Sequence, residues 1–370
     1  SVALLLSLLS VVLANKDYGA PGWTCDPSLM KKSTKEPTSV HSLRYADIDL
    51  IAALGDSLTA ANGAGANSHD PLEVMIQYRG LAFSMGGDYD LDTHVTLSNI
   101  LKKFNPDVFG WSKGTGPANV WENSALNAAV PGAVSGDLVA QATELIQRMK
   151  DHPEVDVKND WKLVHIFIGG NDICAWCDDP IGENADNFAK NIGDAVQVLK
   201  DNLPKTIVVL VGMLDISLLR TVDNGLIFCD DLHVFECSCE QNKNFSNAQL
   251  SAQCHAYMDS EQSLQDGRFE AEDFTLVIQP FFENLTQPPL LPDGSPDLSF
   301  FAPDCFHFSE YGHAVVAKNL WNNLNQPIGT KSTVANLTNP DIWPLVCPDP
   351  SCPFIRTTKN SVDCTPYLTD

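Results

Sequence analysis

The stretch IAALGDSLTAANGAGA (Ile51–Ala66) decides how the rest of the chain is read. Ile51-Ala52-Ala53-Leu54 is apolar without polar alternation, as expected of a strand buried on both faces. It breaks into Gly55-Asp56-Ser57 and then into small residues with two more glycines. A serine delivered from a core strand into a glycine-rich loop is a candidate nucleophile. For that it needs a base in reach, a group orienting the base, and donors for an oxyanion.

Working outward, the strand candidate around this stretch covers Ile48–Leu54, and four further runs share its character. These are Ser124–Val130 (the weakest), Lys162–Gly170 (KLVHIFIGG), Lys205–Leu214 (KTIVVLVGML) and Phe274–Phe282 (FTLVIQPFF). Helical spacing lies between or after them at about Val134–Lys150, Asn184–Asn202, Asn247–Phe269 and Ser309–Leu324. This alternation predicts an α/β fold: a three-layer α/β/α sandwich with right-handed crossovers and a mostly parallel sheet of about five strands. Such sheets bind ligands beyond the carboxyl ends of their strands, where Ser57 should emerge. From about Gln326 the chain becomes proline-, threonine- and cysteine-rich and reads as an irregular tail.

The 370 residues carry a net charge of −24, which repels the phosphates of nucleic acid and disfavours strongly anionic lipid surfaces. Val2–Ala14 is a near-continuous apolar run, too short to span a bilayer and suited to the core of a signal peptide. Without a basic segment before it, residues 1–14 read as a partial signal, and the expected location is secreted or the extracellular face of the cell surface. Eleven cysteines agree with an oxidising compartment, and the odd number leaves at least one outside an internal pair. Cys174-Ala175-Trp176-Cys177 with Cys237 and Cys239 could be a redox or zinc motif. A single residue between Cys237 and Cys239 is poor zinc spacing, so structural disulfides are the expectation. Glycan acceptor sequons begin at Asn244, Asn284 and Asn336.

The chain holds one G-x-S-x-G match, Gly110–Gly114 around Ser112, but without the strand–turn–helix context of a nucleophile elbow. Ser57 has the better context. Asp304-Cys305-Phe306-His307 follows the last strand and precedes a helix, and its spacing lets Asp304 hold the His307 ring in one tautomer. Gly169-Gly170-Asn171-Asp172 ends the strongest strand, so the Asn171 amide could donate toward an oxyanion, and Gly132 in NAAVPGAVSG offers an unobstructed N–H. Asp56 is expected to bond the loop backbone. His313, inside a helical run, is expected to be a packed or surface residue rather than the base. Asp88–Asp92 begins like a calcium loop but lacks the glycine and final glutamate. Trp111, Trp121 and Trp176 are candidates for an acyl pocket, with core packing the plainer alternative.

Gly55-Asp56-Ser57-Leu58, Gly132, Gly170-Asn171-Asp172 and Asp304-x-x-His307 resemble, in order, the four blocks of the GDSL, or SGNH, hydrolases. YRGLAFSMGGD, NILKKFNP, IGGNDICAWC, APDCFHFSEYGHAVVAKNLWNNL and CPFIRTTKNS resemble the animal phospholipase B branch, over roughly Pro37 to Ser361. The resemblance implies a flavodoxin-like hydrolase domain over 37–326 and a cysteine-containing tail over 327–370. It implies a calcium-independent serine esterase of phospholipids and lysophospholipids that uses neither metal nor cofactor and touches lipid surfaces transiently. Ser57 would be the nucleophile, His307 the base and Asp304 its orienting group. The Ser57 and Gly132 N–H groups and the Asn171 side chain would form the oxyanion hole. Relatives in this branch are commonly anchored by a C-terminal hydrophobic segment and repeat the domain in tandem; one copy and no such segment stand here, implying truncation or a soluble protein. Two other functions fit the same residues: an esterase of short-chain lipids or acetylated carbohydrate, and a non-catalytic lipid-binding protein, which would be expected to lack one of the catalytic residues.

Overall fold

Four of the five apolar runs pair as one parallel sheet in the order β1 (Leu50–Gly55), β2 (Lys162–Phe167), β3 (Thr206–Val211) and β4 (Phe274–Gln279). The computed structural model describes residues 18–67, 70–222, 229, 232–233, 236–338 and 343–368; the expected signal segment at 1–14 lies outside them. Every residue of the four strands is buried, as runs without polar alternation require. Leu50 pairs with Lys162 and Gly55 with Phe167, so β1 and β2 end level with one another. Ile51, Ala53, Leu163 and Val209 face one core, while Ala52, Leu54, Val164 and Val208 face the other.

Ser124–Val130 departs from expectation. It follows the edge of β1 through a single bridge of Asn127 to Ala53, with the Ala128 and Val130 N–H groups donating to the Ala53 and Gly55 carbonyls. Ser124 closes a helical turn and Pro131-Gly132 turns the chain away, leaving too little extended backbone for a regular strand.

The helices that build the layers and the site are α1 (Ser57–Ala60), α2 (Leu97–Phe104), α3 (Leu138–Asp151), α4 (Gly170–Trp176), α5 (Ala185–Asn202), α6 (Ser238–Gln241), α7 (Asn247–Gln262) and α8 (Glu310–Leu324). Residues of α3, α5 and α7 fill one core and residues of α2 and α8 the other, giving the three layers. The Asn184, Ser246 and Ser309 side chains cap α5, α7 and α8. Expected helix continued to Phe269; α7 instead ends at Gln262, ahead of a 3₁₀ turn and of Gly267 at φ 91°.

Every residue of α8 from Tyr311 onward is buried, because the tail covers the side turned away from the sheet. Asn319, Asn322 and Asn323 donate to the carbonyls of Asn336, Pro344 and Ser332, satisfying backbone in an extended part of the tail that precedes its short helix Thr358–Val362. The Cys25–Cys347 disulfide and the bond from Trp23 Nε1 to the Leu345 carbonyl fasten the tail to the start of the described chain. Cys174–Cys237 and Cys177–Cys239 join α4 to the start of α6, so these four cysteines are structural. Cys352 pairs with Cys364 and Cys229 with Cys305, leaving buried Cys254 as the free thiol. Among the described residues no helix is long and apolar enough to cross a membrane.

His165 stands in the middle of β2, fully buried, with neither ring nitrogen hydrogen-bonded. Burial drives its pKa down to about 3. The unfolded chain therefore takes a proton below about pH 6.5 that the folded chain refuses, and stability falls as pH falls. His165→Leu is expected to remove this penalty. It should gain about 2 kcal/mol over the parent on going from pH 7.5 to pH 5, read as the difference in urea midpoints. A gain that does not change with pH would contradict the assignment.

Candidate active site

The edge where β1 and β2 end is built by backbone that only glycine allows. Gly55 has φ 155°, and a Cβ there would sit 2.5 Å from the Phe167 carbonyl oxygen. Gln141 of α3 accepts the Gly55 N–H and donates to the Gly55 carbonyl, both at 2.9 Å. Gly169 has φ 122°, and a Cβ there would meet Met213 and Phe188 within 3.0 Å. The two strand ends can therefore turn sharply and present the residues after them at one place.

Asp56 caps α1, its Oδ1 accepting the Leu58 N–H at 2.9 Å, which is the backbone role expected of it. Burial nevertheless pushes its carboxyl up to about 7. Ser57 opens α1, nearly buried, with its Oγ 2.7 Å from His307 Nε2. His307 Nδ1 lies 2.5 Å from Asp304 Oδ2, and Asp304 Oδ1 accepts the N–H groups of Phe306 and His307 at 3.1 and 3.0 Å. Ser57, His307 and Asp304, 250 residues apart at the extremes of separation, thus form one continuous hydrogen-bonded line. Burial pulls the His307 imidazole down, but the Asp304 carboxylate against it, with Glu236 and Asp56 beyond, outweighs burial and holds it above its ordinary value. Burial opposes ionisation of Asp304 too, and the facing imidazole with the accepted N–H bonds holds its carboxyl below the usual range. Such a line can take a proton from the serine and store the charge on an imidazolium next to a buried carboxylate.

Gly132 is exposed, at φ 79°, with open space where a Cβ would stand. Its loop is tied to the start of α4, just after β2: Asn171 Nδ2 donates to the Ala133 carbonyl at 2.9 Å, and both Asp172 oxygens accept the Ser135 N–H. The loop also joins the Ser57 turn through the bond of the Val130 N–H to the Gly55 carbonyl. The other candidates lie elsewhere. Ser112 Oγ donates to the carbonyls of Arg79 and Met85 inside a packed loop, so the Gly110–Gly114 match is a chance one. His313 is buried in α8, where its Nδ1 accepts the Phe83 N–H. Asp88 spends both oxygens on the Gly114 N–H. Trp111 carries Lys102 over its ring, Trp121 stacks on His152 and Trp176 packs on Phe245. Asn244 and Asn284 are exposed, whereas Asn336 is half-buried with its N–H bonded to Asn319.

In place of the tryptophans, leucines and phenylalanines form an apolar cleft beside the His307 turn. Phe301 and Phe308 line it together with Leu214 and Leu218 after β3 and Phe282 after β4. Sequence reasoning also missed the segment before α6. Glu236 brings a carboxylate within 4.8 Å of Asp304 and His307, and burial, with the Asp304 charge, pushes it up to about 7. Three such groups could suit a metal ion by spacing, but both His307 ring nitrogens are already hydrogen-bonded, which favours a proton-transfer reading.

The profile of the GDSL-like lipase/acylhydrolase family matches residues 51–320. Membrane-associated phospholipase B1 of Homo sapiens is 42% identical over 333 residues, covering 88% of this chain and 23% of that protein. The Rattus norvegicus protein of the same name is 41% identical over 332 residues, again 88% of this chain and 23% of the relative. The chain thus spans about a quarter of the length of these relatives. Among solved structures, an acetylxylan esterase from Geobacillus stearothermophilus is 15% identical with a TM-score of 0.37, covering 73% of this chain and 91% of that one.

Proposed function

Because the chain belongs to the GDSL-like lipase/acylhydrolase family of carboxylic ester hydrolases, we propose that it cleaves the acyl esters of phospholipids and lysophospholipids through Ser57, His307 and Asp304, without calcium. The observation that carries this reading is the unbroken line from Asp304 through His307 to the Ser57 hydroxyl. Ser57 Oγ attacks the ester carbonyl carbon while its proton passes to His307 Nε2. That proton then goes to the departing alcohol, leaving Ser57 acylated. Water repeats the sequence, giving up a proton to His307 and releasing the fatty acid. The Ser57 and Gly132 N–H groups and the Asn171 amide are the proposed donors to the oxyanion, each such donor being worth roughly 3 kcal/mol in related chemistry.

Three features support a lipid rather than another ester. The small cleft beside the His307 turn has apolar walls, with room for a short part of an acyl chain. Leu72 and Met75, 79% and 76% exposed, stand on a segment whose next residue, Ile76, bonds through its carbonyl to the Gly63 N–H just after α1, a position fit for transient contact with a lipid surface. Relatives more than 40% identical carry the name phospholipase B1. Five disulfides and exposed sequons at Asn244 and Asn284 support a secreted or cell-surface location.

The test is fatty-acid release from phosphatidylcholine and lysophosphatidylcholine in EDTA. Release from both, undiminished by EDTA, is expected. Hydrolysis confined to short-chain esters or acetylated sugars would move the substrate elsewhere, and loss in EDTA would overturn calcium independence.

A further inference from the structure

The turn that carries Asp304 and His307 is held from outside as well as from within. Cys305, between them, sits at φ 58°, a left-handed conformation that a residue with a Cβ rarely adopts unless its surroundings impose it. Inside the turn, Asp304 Oδ1 accepts two N–H groups, and the Ala302 N–H donates to the His307 carbonyl at 2.8 Å. The external contacts come from a stretch some seventy residues earlier. Cys229 is disulfide-bonded to Cys305 itself. His233, fully buried, has Nε2 2.7 Å from the Asp304 carbonyl oxygen. A carbonyl only accepts, so Nε2 carries a proton, and Nδ1 faces the buried Glu240 side chain at 3.5 Å. The His233 ring also meets Phe306 edge-on, with centroids 5.8 Å apart. Asp304, Cys305 and Phe306 are thus each gripped by this stretch, and His307 alone is left to reach Ser57.

We propose that Cys229 and His233 are positioning residues that hold the Asp304–His307 turn in the conformation from which the imidazole reaches Ser57. Neither touches the reacting atoms; both act on the backbone that aims His307. The proposal rests on Ser57, His307 and Asp304 being the reacting trio. Misplacement of a catalytic group by about 1 Å can cost on the order of a hundredfold in rate, so a turn in an unfavourable conformation has reason to be clamped.

The test compares His233→Leu, His233→Gln and the double variant Cys229→Ser/Cys305→Ser with the parent. A short p-nitrophenyl ester reports turnover, and an alkyl fluorophosphonate reports the rate of Ser57 modification. His233→Leu is expected to lose about 10- to 100-fold in kcat with KM within about twofold, and Ser57 labelling should slow in parallel. Glutamine, whose Nε can donate to the same carbonyl, should restore most of both rates, which a merely space-filling role of His233 would not predict. The double cysteine variant should show the same split between kcat and KM. A folded His233→Leu or double cysteine variant with parental kcat and labelling rate would overturn the proposal. So would failure of glutamine to restore what leucine loses, with native circular dichroism. If the leucine variant does not fold, the cysteine pair and the glutamine variant decide. Failure of the underlying trio looks different: the parent's Ser57 would then remain unlabelled.

Discussion

Ser57→Ala is expected to lower kcat for ester hydrolysis by about a millionfold, with circular dichroism and the urea midpoint near those of the parent. The size follows from covalent chemistry. Without the hydroxyl no acyl-enzyme forms, His307 has no proton to take, and only binding and the oxyanion donors remain to assist water. The fold is spared because the change removes one oxygen whose partner is the ring of His307. Loss of this bond is worth about 1 kcal/mol in a protein of this size. Lipid and p-nitrophenyl substrates should be affected alike, since both need the same attack. Activity within tenfold of the parent would remove Ser57 from the mechanism.

Asp304→Asn is expected to cost about 10⁴-fold in kcat/KM, for a reason the geometry makes specific. Asp304 uses Oδ1 for the N–H groups of Phe306 and His307 and Oδ2 for the His307 ring. An asparagine keeps its carbonyl toward the two N–H groups and so turns its NH₂ toward Nδ1. That nitrogen must then accept, the ring proton moves to Nε2, and the nitrogen facing Ser57 can no longer receive a proton. The pH profile should change as well. In the parent, burial favours the neutral ring but the Asp304 carboxylate prevails and holds His307 above its ordinary value. A base works only when deprotonated, so kcat/KM falls as pH drops through a pKa above 6.5. Removing the carboxylate lets burial act unopposed by its nearest charge, and the acid limb of the residual activity should move to lower pH. A limb unmoved or moved upward would contradict the role given to Asp304.

Much of this was legible in the sequence because the determinants are local. Runs such as KLVHIF and TIVVLV carry no polar alternation, and strands buried on both faces of a parallel sheet require that. Gly55 and Gly169 mark strand ends where no Cβ fits, and Asp304 and His307 lie three residues apart, close enough to meet on one turn. What escaped depends on distant packing. Ser124–Val130 has the composition of a strand, but helix closure before it and Pro131-Gly132 after it leave one bridge. The tail reads as irregular, yet it holds a short helix, Thr358–Val362, and its role in covering α8 depends on asparagines that read as ordinary polar positions of a helix. The grip of Cys229 and His233 on the Asp304–His307 turn spans 76 residues, and its one local trace was a cysteine inside Asp-x-x-His.

The central claim is that Ser57 is acylated during turnover, and covalent capture tests it most directly. The protein is incubated with a long-chain alkyl fluorophosphonate, its mass is measured intact, and the labelled peptide is sequenced. One adduct per chain on Ser57, formed in step with loss of esterase activity and absent from Ser57→Ala, is the predicted result. An adduct on Ser112 or any other residue that accounts for the lost activity would contradict the account. Full ester hydrolysis by protein that remains unlabelled would do so equally.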